Sequence, residues 1–489
     1  MASTNRIVSL KFVVFLFFVA MLVPVAIAGW SRIAPFLEYN SPQITVTEML
    51  RGIGRTPVSM RIELRDDGAG LDEVVIRTQQ RGTPRLLLRK NLNGEKRKQV
   101  SIEFLGDKSD LEEGTAFLEI RAFDRSFWSN RAEVSIPLEV DYRKPKIEVI
   151  TTQHNAAQGG SQLIFYRAYD ESLAVSGVKV GNQTFLGFPA RGIDNNFEDP
   201  AVFLALYASE LGNDPQNISV RAFAEDRVGN ATSVSFYNKI QARSWREITI
   251  KLTESYLREN INELANVNFY KMREFAGRGG ENLDFKTPKG SNQRLIEQFS
   301  FVNTYLRQMS DAEISGLLKG PRFERYFEGP FSPQEGSLRS IFGDKITYTF
   351  DGVVAGRARS NGYEYSMPKE HSDVIAANSG VVIFSENIGT YGRVIAIDHG
   401  LGLTSLYAWL DHTLVNKGDT VKIGQKIGAA GTSGLSPDTR VYFELRLHGV
   451  PVDPREWLDK RWYYSHITAK INEVKKIMGI PIYRRLGEL

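Results

Sequence analysis

Between about Ser41 and Val140, apolar and polar positions alternate over short stretches broken by Gly, Asp and Pro. VSMRIEL (58–64), EVVIRT (73–78), RLLLRK (85–90), VSIEFL (100–105) and AFLEIRAF (116–123) each place one side-chain set on one face and the next on the other, the period-two pattern of a half-buried strand. The style returns from Lys146 to about Gln241, in IEVI, QLIFYRAY, VSGVKV, ISVRAFAED and SVSFYNKI. Short strands separated by turn signals predict β-sandwiches. From Ser244 to about Pro330 the period changes. Leu295, Phe299, Val302, Leu306 and Met309 recur at steps of four and three, which predicts one face of a helix. Ser310-Asp311-Ala312-Glu313 reads as a capping box opening the next helix, with Ile314, Leu317 and Leu318 as its apolar face. Residues 251–275 also read as helical, and 277–280 and 286–289 as loop. From Phe331 to about Trp462 the alternation returns, punctuated by Gly-Asp and Gly-Gln turn formers. The predicted chain is mostly β with one small helical segment.

The N-terminus carries a different signal. Arg6 and Lys11 precede an apolar run from Phe12 to Trp30, close to the roughly 20 residues a helix needs to cross a bilayer. The basic flank keeps residues 1–11 inside and exports the rest. An uncleaved transmembrane helix over 12–30 is the reading adopted. Ala26-Ile27-Ala28 keeps open a cleaved signal peptide, and both readings export the remaining chain. Net charge is +4 on 61 basic and 57 acidic residues, too small a surplus to argue for nucleic acid. The one local excess, Arg461, Lys470, Lys475, Lys476, Arg484 and Arg485, marks 463–489 as a basic helix and tail, read as a solvated face rather than a binding patch. There is no cysteine, which excludes disulfides, thiolate metal sites and Cys nucleophiles.

The two β stretches resemble each other. Glu119-Ile120-Arg121-Ala122-Phe123-Asp124 is followed by Ser129-Asn130-Arg131, and Ser219-Val220-Arg221-Ala222-Phe223-Ala224 by Gly229-Asn230-Ala231. A strand, a polar Asn turn and a last strand look like the closing hairpin of immunoglobulin-like modules. They give a tandem pair at 41–142 and 146–242, joined at Arg143-Lys144-Pro145, with one larger β domain as the alternative. A helical linker (244–330), a C-terminal domain (331–462) and the tail complete the layout.

In that C-terminal domain, SIFGDKITY (340–348), AANSGVVIF (376–384), YGRVIAIDHGLGLTSLYAWL (391–410), GDTVKIGQKIGAAGTSG (418–434) and YFELRLHGVPVDPREWL (442–458) follow in order. This order resembles the LytM-type peptidase domain of family M23. The resemblance implies a zinc hydrolase of bacterial peptidoglycan cross-links, its metal held by a His, an Asp four residues on and the second His of an H-x-H strand, with two further His handling protons and the oxyanion. Neutral imidazole and carboxylate suit Zn²⁺, and the metal brings the pKa of its water to about 7. This chain departs at each place. Ser360 stands for the first His, Glu364 for the Asp, Trp409 for the His of Tyr-x-His, and Arg440 and Tyr442 for the H-x-H pair. One carboxylate does not hold zinc, and a fixed guanidinium opposes a cation. The expectation is no catalytic residue and no cofactor, zinc being lost. Of the six histidines, His371 and His412 are the candidates for substitute ligands.

Ser360, Glu364, Tyr391, Arg393, Trp409, Arg440 and Tyr442 are the expected lining of the former groove. Aromatic faces and Arg there suit a peptide carboxylate, while drift after loss of activity accounts equally for the same residues. Degenerate members of the family activate cell-wall amidases. The leading expectation is therefore a non-catalytic, inner-membrane-anchored envelope protein with its bulk in the periplasm. It would bind peptidoglycan stem peptides or regulate a cell-wall hydrolase. The alternatives are an active M23-type metallopeptidase with substituted ligands, and an envelope scaffold or adhesion protein.

Overall fold

The computed structural model describes residues 29–30, 33–48, 50, 52–212, 214–277, 291–318, 320 and 322–482. The apolar run read as an anchor lies outside them from Phe12 to Ala28, as do Arg484 and Arg485 of the tail. Among the described residues, no helix is long and apolar enough to cross a membrane. The chain divides into two compact units: the segment up to Lys144 with Glu225–Ala231, and Pro145–Ala224 with Thr232 onward.

In the first unit, Gln43–Val46, Val58–Arg65 and Arg97–Phe104 form a three-stranded sheet. Gly52–Ile53, Arg131–Val140, Gly114–Asp124, Leu71–Gln80 and Thr83–Glu95 form a five-stranded one. Alternate residues of both sheets, Met60, Ile62 and Leu64 against Val74, Ile76, Leu118 and Ile120, close one core, the packing of a β-sandwich. RLLLRK does not follow simple alternation: Leu86 and Leu87 are exposed, because Thr83–Glu95 is an edge strand paired on one side only. The repeated Asn turns share their chemistry. Asn130 and Asn230 each donate backbone N–H and side-chain amide to the carboxylate that ends the preceding strand, Asp124 and Asp226 respectively, at 2.7–2.9 Å. These bonds hold the tight reversal that lets each last strand return.

The second β-module is not independent. Its strands Ser161–Tyr169 and Val202–Ala208 and the C-terminal domain contribute to one continuous core, in which Leu163, Phe165 and Leu204 join Phe443, Leu445 and Trp457. Buried polar contacts seal the joint: Trp457 Nε1 donates to Ser161 Oγ (2.9 Å), and the Ser161 N–H donates to Glu456 (2.7 Å). The basic tail also departs from expectation. Lys470 and Lys475 are buried; Lys470 donates to Leu163 O and Gln162 Oε1, and Lys475 pairs with Asp194. The helix Ala469–Ile477 docks on the second module because that module supplies the acceptors its cations need, so the solvated-face reading fails for these two lysines.

Strand β1 (Glu247–Lys251) leaves the second module and leads into helix α1 (Asn262–Ala276). Helix α2 (Ser291–Phe301) continues through a π-helical turn at Val302–Leu306 into α3 (Arg307–Leu317). The expected apolar face is present: Leu295, Phe299, Val302 and Leu306 are all buried, each contributing roughly 1.5–3 kcal/mol of burial. Ser310 caps nothing. The helix runs through it, and its hydroxyl donates back to Leu306 O (2.6 Å).

The C-terminal sheet follows: β2 (Lys345–Phe350), β3 (Val353–Arg359), β4 (Tyr363–Ser366), β5 (Asp373–Ile375), β6 (Gly380–Ile388), β7 (Gly392–Gly400), β8 (Leu403–Thr413), β9 (Lys426–Ala430) and β10 (Arg440–Leu447). β1 pairs in parallel with β2 and so ties the helices to this domain. In the large antiparallel sheet β4, β10, β8, β7 and β6 are neighbours in that order. Along β7, Ile395 and Ile397 face the core shared with the second module, while Val394 and Ala396 face the helices; on β8, Tyr407 faces the former and Leu406 and Ala408 the latter. The helical segment thus covers one face of the sheet, beyond the orienting role expected of a linker.

Candidate functional site

Between the helices and this sheet face lies a cavity of about 410 Å³. Of the seven residues expected in the groove, Ser360, Glu364, Tyr391, Trp409, Arg440 and Tyr442 line it. Arg393 stands apart. Its side chain is exposed and outside the lining, at the irregular start of the β7–β8 pairing, where Arg393 faces Leu410 and Ile395 faces Tyr407.

The register explains the grouping. Glu364 on β4 pairs with Tyr442 on β10, and Ser366 with Arg440, so Glu364 and Arg440 meet on one face. Arg440 is held from two sides: its Nε and Nη2 donate to the two oxygens of Asp438 (2.6 and 2.9 Å), and Nη1 donates to Glu364 Oε2 (3.1 Å). Burial works against the Arg440 charge, but Asp438 and Glu364 hold its pKa above the usual guanidinium value. Burial raises the Glu364 carboxyl, with the Arg440 and Arg307 charges opposing. Ser360 spends its hydroxyl on Gly362 O (2.9 Å) in its own loop.

Trp409 sits in a β-bulge with φ of +66°, a left-handed conformation that costs a non-glycine residue about 1–2 kcal/mol. Its indole N–H donates to Thr390 O (3.1 Å), and its ring packs 5.1 Å from that of Tyr442. Tyr391 lies 5.9 Å from Tyr442 on the other side. Burial pushes both phenols well above their ordinary value, so neither ionises near neutrality. One carboxylate already engaged by a guanidinium, a serine bonded to its own loop and a buried neutral phenol make a poor donor set for a divalent cation.

Sequence reasoning missed the contribution of the helices. Arg307, Asp311 and Tyr256 also line the cavity. Arg307 donates from Nη2 to Asn303 (3.1 Å), while its Nε is buried with no hydrogen-bond partner among the described residues. Tyr256 OH donates to Leu435 O (3.0 Å), tying the helices to the loop before β10. Asp311, itself half-exposed, joins a network with the buried Glu444 and Arg446. Both β10 side chains are fully buried. Arg446 donates to Glu444 (2.5 Å), Tyr391 OH (2.9 Å) and Ser315 (3.1 Å), and pairs with Asp311. Thr390 N–H donates to Ser310 Oγ (3.0 Å). The one signal available in sequence was the Glu444-x-Arg446 spacing inside an apolar strand, which puts two charges on the same inward face.

Residues 358–454 match the model of Peptidase family M23. They form a Peptidase family M23 domain. Curated relatives of this chain include the murein hydrolase activator EnvC of Escherichia coli (strain K12), 25% identical over 233 residues, covering 45% of this chain and 52% of the relative. The murein hydrolase activator NlpD of the same organism is 33% identical over 117 residues, 24% of this chain and 30% of the relative. Stage II sporulation protein Q of Bacillus subtilis (strain 168) is 38% identical over 90 residues, 18% and 32% of the two chains. The chain thus spans about half, or less, of the length of these relatives. Among solved structures, a putative M23 peptidase from Pseudomonas aeruginosa superposes with a TM-score of 0.35 at 14% identity, covering 62% of this chain and 94% of that one. The catalytic domain of lysostaphin from Staphylococcus simulans gives 0.20 at 22% identity, covering 29% and 96%.

Proposed function

We propose that this protein is a membrane-anchored envelope pseudo-peptidase that regulates a cell-wall hydrolase and does not itself cut peptidoglycan. The observation that carries the reading is the Asp438–Arg440–Glu364 ion pair lying where the resemblance places the zinc, a fixed positive charge that a cation would have to displace. The helices over the same face favour the reading too, since peptidoglycan strands are long and the cavity is small. Two curated relatives are named murein hydrolase activators. Within the cavity, the unpartnered Nε of Arg307 offers a charge-assisted hydrogen bond to a carboxylate such as a stem peptide carries. The first β-module serves as an immunoglobulin-like spacer, while the second shares its core with the M23 domain. The apolar run and its basic flank support the inner-membrane location of this reading, with the bulk of the chain in the periplasm.

The test is release of dye from labelled peptidoglycan by the purified chain with added zinc, alone and with a cell-wall amidase. Regulation gives no release alone and faster release by the amidase. Release by the chain alone, lost in Glu364→Gln, would establish an active peptidase instead. No effect in either arm would leave the scaffold role and refute the regulator.

A further inference from the structure

Outside the cavity, the M23 domain assembles a second constellation. His371 Nδ1 and His412 Nδ1 each lie 2.9 Å from Asp411 Oδ2. The three donor atoms are all within 4.8 Å of one another, and none of the three residues lines the cavity. We propose that His371, Asp411 and His412 bind a late first-row divalent cation of the zinc class, leaving at least one coordination position to solvent.

The framework that gathers them is backbone, not chance contact. Strand β9 lies between β5 and the end of β8: Ala429 is opposite Asp373 on one side and His412 on the other. His371 is two residues before Asp373, and Ala430 N–H donates to Ser372 O (2.9 Å) to fix the intervening turn. His371 adopts φ of +56°, an unfavourable conformation for a non-glycine residue. It directs the imidazole at Asp411 across a separation of 40 positions. The neighbouring carboxylate of Asp373 is paired with Lys426 (2.7 Å) and does not compete.

The donor chemistry selects the ion. Two imidazoles and one carboxylate suit Zn²⁺, Ni²⁺ or Cu²⁺ over Mg²⁺ or Ca²⁺, which want oxygen alone. Tetrahedral zinc bonds of about 2.0–2.1 Å put neighbouring donors about 3.4 Å apart, so the atoms here need only small side-chain rotations. All three side chains are substantially solvent-exposed, at 65% for His371, 50% for His412 and 39% for Asp411. The site is therefore accessible to an ion, and its ligands can be replaced without opening the core.

Titration calorimetry of the full chain with ZnCl₂ decides the matter, with His371→Ala, His412→Ala and Glu364→Gln compared in parallel. The expected result is one zinc per chain, weakened at least about 100-fold by either histidine substitution and unchanged by Glu364→Gln. Absence of zinc uptake overturns the proposal, as does uptake that survives both histidine substitutions. Uptake lost in Glu364→Gln alone would put the metal in the groove and overturn the non-catalytic reading as well. Circular dichroism of the histidine variants confirms that a lost zinc signal is not lost fold.

Discussion

Replacing Arg446 by Met tests the network that fastens the helices to the sheet. The substitution keeps an unbranched side chain of similar length in the site and removes the charge. Glu444 then loses the donor on Oε1 and keeps the neutral phenols, Tyr391 OH 3.2 Å from Oε2 and that of Tyr442. Asp311 is 41% exposed and resolvates at little cost. Breaking a buried pair by removing one partner costs about 3–5 kcal/mol. The carboxylate can escape by taking a proton, which from its ordinary value of 4.5 costs about 3 kcal/mol at pH 7 but only ~0.7 kcal/mol at pH 5. Burial already raises Glu444, opposed chiefly by Arg446, so its folded pKa climbs further in the variant. Stability is then retained at low pH and lost as pH rises through that folded value. Urea unfolding followed by tryptophan fluorescence should show Arg446→Met destabilised by about 3 kcal/mol at pH 7 and by well under half of that at pH 5. Glu444→Gln/Arg446→Met should recover about 2 kcal/mol at pH 7, because no unpaired charge remains. A deficit below about 1 kcal/mol at pH 7, or one equal at both pH values, would refute the argument.

Two further substitutions probe separate contacts. Burial pushes the Glu456 carboxyl, which accepts from Ser161 at the joint with the second β-module, up to about 7 from 4.5. Wild type should therefore match Glu456→Gln below pH 4.5 and fall behind as pH rises to about 7, by on the order of 3 kcal/mol; parallel stability curves across that range would contradict the shift. Tyr256→Phe removes the hydroxyl bonded to Leu435 O and should cost about 1 kcal/mol. Hydrogen exchange in residues 431–438 should quicken, and unchanged exchange there would mean the bond does not hold the loop.

Most strands were legible in the sequence because a period of two in apolar positions, ended by Gly, Asp or Pro, specifies an extended segment and its inward face. The order of those segments with their Gly-Asp and Gly-Gln turns carried the resemblance to the M23 domain, which the family model matches at residues 358–454. Six of the seven groove residues were named through the M23 resemblance, and the alternation along β4 and β10 then explains why Glu364, Arg440 and Tyr442 share one side. Arg393 falls outside because β7 alternates: Val394 and Ala396 face the helices, so Arg393 turns with Ile395 and Ile397 to the other side, whereas the bulge on β8 is what brings Trp409 to the cavity. The apolar face Leu295, Phe299, Val302 and Leu306 determined that a helix must bury one side, but amphipathicity does not say against what. Only the parallel pairing of β1 with β2 brings that face over the groove. Lys470 and Lys475 looked solvated because the acceptors that bury them, Gln162, Leu163 and Asp194, lie in the second β-module. The gathering of His371, Asp411 and His412 likewise depends on β9 passing between two distant strands. Local sequence determined which segments fold and which face each turns inward; the tertiary structure decided which faces meet, because the partners of a buried charge or a docking helix are set by contacts between residues far apart in the chain.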